Sequence, residues 1–182
     1  MIKTEKTEKF FKGCRVFGYK FEKGISGQEA IYFNDGTMIT NRIEKVILLR
    51  YHRIITSNIE EVDGWYKFKV KKLYQLSEDQ RELISFHMSK IMWKYGNAPL
   101  QQIQDIRKYL ESVKEDEVVV VLRKLVSSAE EIGKKFISSS SDIFIDINDD
   151  NWMSDGGKLV NPDGIWMKLA EEDKHRFKEI FF

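Results

Sequence analysis

Cysteine is almost absent from this chain: Cys14 is the only one in 182 residues. A single thiol excludes an intrachain disulfide and a cysteine metal cluster, and it fits a reduced, cytoplasmic setting. Cys14 itself, within Cys14-Arg-Val-Phe17, reads as a small strand residue. Long apolar runs are missing too. The longest, such as Val118–Leu122, fall far short of the roughly 18 residues a membrane span needs. Lys3, Glu5, Lys6 and Glu8 would interrupt the apolar core of a signal peptide, so no membrane partner is expected. There is no Gly-x-Gly-x-x-Gly and no phosphate-loop lysine. His52, His87 and His175 lack ligand spacing, and no serine sits in a nucleophile-elbow context. These absences predict no metal, no cofactor and no catalytic residue, and the reading leans away from an enzyme.

What is present is a divided charge. Residues 1–76 hold 15 Lys+Arg against 9 Asp+Glu, a balance of +6, while residues 77–182 hold 15 against 20, a balance of −5. A near-neutral total thus conceals a basic region suited to phosphate-rich partners and an acidic one suited to basic partners. With 42% hydrophobic and 13% aromatic residues, the chain can still bury a core.

The composition and periodicity predict an α+β fold. After a loose tail over Met1–Glu8, the first third reads as an antiparallel β-meander, a curled sheet or small SH3-like barrel. Its strands are Cys14–Phe21, Ala30–Phe33, Thr37–Thr40, Val46–Thr56 and Trp65–Tyr74, with a hairpin signal at Asn34-Asp-Gly36 and a turn at Asp63-Gly64. Ile43, Val46, Ile47 and Arg50 would equally suit a helix, so residues 43–50 stay open. From Leu76 the period changes. Ser77 and Gln80 form a capping box ahead of a helix that stops at Tyr95-Gly96. Pro99 opens a second helix. A third spans residues 116–137, with a strand at 117–122 as the alternative, because four consecutive valines favour strand. Ile143–Ile147 reads as a short strand. Lys158–Val160 and Ile165–Met167 flank Asn161-Pro-Asp-Gly164 as a C-terminal hairpin, and a helix over Ala170–Ile180 ends the chain. Residues 1–76 and 77–182 are the candidate domains, as two units or packed into one.

Two charged features are the candidate sites. In the strand from Trp65, Lys67, Lys69 and Lys71 alternate with Tyr66, Phe68 and Val70, and Lys72 follows. If the segment holding Arg50, His52 and Arg53 pairs with it, one face joins cations to the rings of Trp65, Tyr66 and Tyr74. That is the pattern of a single-strand or RNA platform; a solvated strand face with edge-blunting lysines is the plainer alternative. The second feature is acidic: Asp142, Asp146, Asp149, Asp150 and Asp155, with no Lys or Arg between Phe136 and Lys158. A calcium-loop frame from Asp146 fails, since Asn151 replaces the glycine and Gly157 replaces the bidentate glutamate. The aspartates could serve a two-metal nuclease only if fixed together near a Lys or Glu. Trp152, Trp166, Phe177, Phe181 and Phe182 should mostly close the core; a Phe181-Phe182 pair left unburied would make a homodimer or partner contact.

In general character, a small α+β chain with regional charge and no enzyme signature, the sequence resembles the small inhibitor proteins that phages and mobile elements make against CRISPR nucleases. The resemblance covers overall style and no motif. It implies a non-enzymatic protein that binds and blocks a nuclease or its guide RNA. A free-standing RNA- or single-stranded-DNA-binding module, touching nucleic acid directly, is the alternative reading, and a metal-dependent nuclease built on Asp142–Asp155 is a second.

Overall fold

The computed structural model describes residues 7–11, 14–18, 20–23, 29–33, 35–91, 99–136, 138, 142–146 and 151–181. The chain divides into two compact units, one within Met1–Lys72 and one spanning Leu73–Ile180.

In the first unit, β1 (Thr7–Phe11) pairs antiparallel with β2 (Cys14–Gly18). Five more strands, β3 (Lys20–Lys23), β4 (Glu29–Tyr32), β5 (Thr37–Thr40), β6 (Glu60–Val62) and β7 (Trp65–Lys69), form an antiparallel sheet in the order β3-β4-β5-β7-β6. The expected meander is therefore present, as an open sheet and not a closed barrel. Thr7 and Glu8, expected in a tail, belong to β1, and the run Cys14–Phe21 is split between two sheets. Turn chemistry explains the hairpins. Gly36 holds φ +83° after Asp35, whose carboxylate accepts the Thr37 N–H at 3.0 Å. Asp63 and Gly64 hold φ +51° and +76°, the mirror-image turn whose twist suits a two-residue hairpin.

Val46–Thr56 is not one strand. Ile43–Tyr51 forms helix α1, and Ile55 then makes an isolated bridge to Val70. Every residue from Ile43 to Leu49 is buried, including Glu44 and Lys45. A helix enclosed on all sides needs no polar stripe, so its sequence carries no 3.6-residue period. Met38 and Phe68 fill one face of the sheet and Ile31 and Ile39 the other, all at 2% exposure or less.

In the second unit, α2 (Glu78–Ile91) starts at the expected capping box. The Gln80 N–H donates to Ser77 Oγ at 3.3 Å and the Ser77 N–H to Gln80 Oε1 at 3.2 Å. Its expected stop at Tyr95-Gly96 lies outside the described residues. Pro99 opens α3 (Pro99–Ser112), which buries Ile103, Ile106 and Leu110. The valine run is helical, inside α4 (Glu117–Phe136), because Val118, Val119, Leu122, Leu125, Val126, Ala129 and Ile132 make one buried face.

Four short strands complete this unit. β8 (Asp142–Ile145) pairs with β11 (Ile165–Lys168), and β9 (Met153–Asp155) pairs with β10 (Lys158–Val160) around Gly156 and Gly157. The C-terminal hairpin is thus β9–β10. The Asn161–Gly164 turn was expected to join two mutually paired strands; it instead passes the chain from β10 to a strand paired with β8. Gly164 is required there, since a Cβ would lie 2.7 Å from Leu125 Cδ1 and 2.8 Å from Asn161 Cγ. Gln102 of α3 clasps the outer side of β8: its amide donates to the Ile145 carbonyl at 3.0 Å and accepts the Ile145 N–H at 3.2 Å. Helix α5 (Glu171–Phe181) ends the described chain, burying Phe177 completely. Among the described residues no helix is long and apolar enough to cross a membrane.

Candidate functional site

The basic segment does pair with the residues before it. The Thr56 N–H donates to the Lys69 carbonyl at 2.8 Å, and the Lys71 N–H donates to the Ile54 carbonyl at 2.9 Å. The expected platform nevertheless divides in two. At the β7 end the lysines face carboxylates: Lys67 lies opposite Glu60 in the β6–β7 register, and Lys69 pairs with Asp35 at 3.6 Å. The Thr37 N–H, the Thr37 hydroxyl and Lys69 together hold the Asp35 carboxyl below its ordinary range. Nor do the rings form a stacking row. Tyr66 is 3% exposed, Trp65 is half-buried, and Tyr74 belongs to the other unit.

At the other end the backbone brings four basic residues to one corner. α1 stops in a two-bond reversal: the Arg53 N–H donates to the Arg50 carbonyl at 3.0 Å and the Ile54 N–H to the Leu49 carbonyl at 2.8 Å. This is the 6→1 and 5→2 pattern of a Schellman cap, with Arg53 in the left-handed position at φ +57°. Leu49 and Ile54, the two positions whose apolar side chains accompany such caps, are both buried. The reversal sets Arg53 next to Ile54, and hence beside Lys71 across the pairing. Arg50, Arg53, Lys71 and Lys72 are all exposed at this corner. The Arg50 and Arg53 side chains have no hydrogen-bond or ion-pair partner among the described residues. Coulomb repulsion between exposed cations is weak in water, so two arginines without an internal partner are tolerable at one helix end until an anion meets them.

The acidic residues that are described lie on separate elements. Asp142 lies opposite Lys168 in the β8–β11 register, Asp146 follows β8, and Asp155 is in a different sheet. Asp149 and Asp150 lie outside the described residues. Among the described residues, no group of three or more His, Cys, Asp or Glu could hold a metal ion.

A polar chain that sequence reasoning missed crosses the second unit. His87, 2% exposed on α2, contacts Tyr109 Oη of α3 through Nδ1 at 2.8 Å and Asp116 Oδ2 through Nε2 at 2.7 Å. A carboxylate only accepts, so Nε2 carries a proton, and in the neutral ring Nδ1 accepts the Tyr109 O–H. Asp116 Oδ1 also accepts the Val119 N–H at 3.0 Å, capping α4. Burial works against the Asp116 charge, but the Val119 N–H and His87 outweigh it and hold the carboxyl below its usual range. Burial, then the Asp116 charge, raises the Tyr109 phenol. A phenol pushed upward is the opposite of an activated nucleophile, and the chain links three helices, α2, α3 and the start of α4. Its members stand 22 and 29 residues apart, a spacing with no local signature.

No protein-family model matches this chain, and no curated protein matches it.

Proposed function

We propose that this is a non-enzymatic interaction protein that holds a nucleic-acid-bearing target by its phosphates. The supporting observation is the cationic corner: Arg50 and Arg53, exposed at the end of α1 with no side-chain partner among the described residues, stand next to the Lys71-Lys72 segment that pairs with Ile54. Guanidinium groups suit phosphate because their forked donors match its oxygens. The buried Tyr66 ring removes a base-stacking surface, which favours backbone contact over a single-strand platform. In its finer form, drawn from the resemblance to nuclease inhibitors, the target is a nuclease with its guide RNA.

Fluorescence anisotropy with labelled RNA at rising salt tests this reading. Four cations at one site should give a slope of log K against log[salt] of roughly −3. An Arg50→Ala/Lys71→Ala/Lys72→Ala variant should flatten that slope and weaken binding on the order of 100-fold. RNA affinity insensitive to salt, or unchanged in the triple variant, would overturn the proposal. Retention of a nuclease–guide complex without affinity for bare RNA would support the inhibitor form over the free-standing module.

A further inference from the structure

The reversal after α1 carries a residue that helix chemistry does not choose. The left-handed position of a Schellman cap favours glycine, because any Cβ there crowds the following carbonyl. This chain places arginine in it, at φ +57°. The fold gains nothing visible in return: the Arg53 side chain is exposed and has no partner among the described residues. Its backbone bonds, to Arg50 and onward from Ile54 to Leu49, would form equally well with glycine. A side chain retained against local preference, with no internal role, points outward.

We infer that Arg53 is kept in this strained position for its guanidinium, which with Arg50 forms a two-pronged phosphate grip at the apex between α1 and the Lys71-Lys72 segment. The inference rests on the polyanion reading above and assigns the grip to one residue. The left-handed turn reverses the chain within a single residue, so Arg53 follows Arg50 by three positions and precedes the pairing of Ile54 with Lys71. A phosphodiester lying across the end of α1 would meet both guanidiniums. A lone carboxylate on a protein partner needs only one of them. Phosphate is therefore the favoured anion.

The full chain carrying Arg53→Gly, with Arg53→Lys beside it, separates the possibilities. Arg53→Gly should raise Tm by about 3 °C, since relief of the left-handed strain outweighs the added freedom of the unfolded chain. It should also weaken labelled RNA about 10-fold. Arg53→Lys should leave Tm within a degree or so of the parent and lose several-fold in RNA affinity, because a point charge lacks the fork. Polyglutamate should compete far less well than RNA for the parent protein. If Arg53→Gly binds RNA as tightly as the parent, or fails to raise Tm, the inference falls while the polyanion reading stands. Equal competition by polyglutamate overturns the phosphate assignment and favours an acidic protein surface. If the parent protein binds neither RNA nor a nuclease–guide complex, the broader reading falls with it.

Discussion

His52 sits at the C-terminal cap of α1, where the exposed carbonyls of a helix end would welcome a positive ring. Burial overrules them and pushes its pKa below the ordinary imidazole value of 6.5. The ring meets Tyr51 edge-on at 5.6 Å, and its Nε2 has no hydrogen-bond partner among the described residues. A depressed folded-state pKa means that the unfolded chain takes up the proton more readily. Stability is then full above about pH 6.5 and declines as pH falls through the window between the two values. Urea denaturation should show a lower midpoint at about pH 5.5 than at about pH 7.5. His52→Gln should shrink that difference; an equal loss in both proteins would refute the assignment. Because His52 lies between Arg50 and Arg53 in sequence, acidification should weaken the same helix end that carries these arginines.

At the scale of elements, Asp116 shows how one side chain settles a contest of propensities. Four successive valines prefer strand, yet a carboxylate at the N-cap satisfies the Val119 N–H, and the following apolar stripe is buried at helical spacing. Asp116→Ala should cost about 2 kcal/mol or more: the cap is lost, and the buried His87 Nε2–H is orphaned. Asp116→Asn should recover the cap's share. Equal stability of the alanine variant in urea melts would show that the chain through His87 does not hold these helices. Where local chemistry decides structure, the sequence was legible: the Ser77–Gln80 box, the Asp35-Gly36 and Asp63-Gly64 turns, and Pro99 at a helix start. Residues 43–50 were ambiguous because a helix buried all round has no period to read. The Asn161–Gly164 turn announced a reversal, but a turn does not specify which distant strand its flanks will join. The candidate site was half visible for a similar reason. Its charges stand plainly in the sequence, whereas the pairing of Lys69 with Asp35 and the placing of Lys67 opposite Glu60 arise only through the fold.

Considered as a whole molecule, the chain distributes charge by compact unit. Leu73, Tyr74, Gln75 and Leu76 carry no charge, so the balance of +6 belongs to residues 1–72 and the balance of −5 to residues 73–182. Ultraviolet crosslinking of the intact protein to RNA should consequently label peptides within residues 50–72 and spare those of residues 142–168. Labelling that favours the second set would contradict the assignment of the binding corner. The acidic unit has its own means of staying separate from neighbours. With the Gln102 amide occupying both main-chain groups of Ile145, β8 offers no vacant rung there for an incoming extended peptide to climb onto. A ribbon of only two strands, open in principle to a third from a foreign chain, is in this way terminated by a side chain of its own fold.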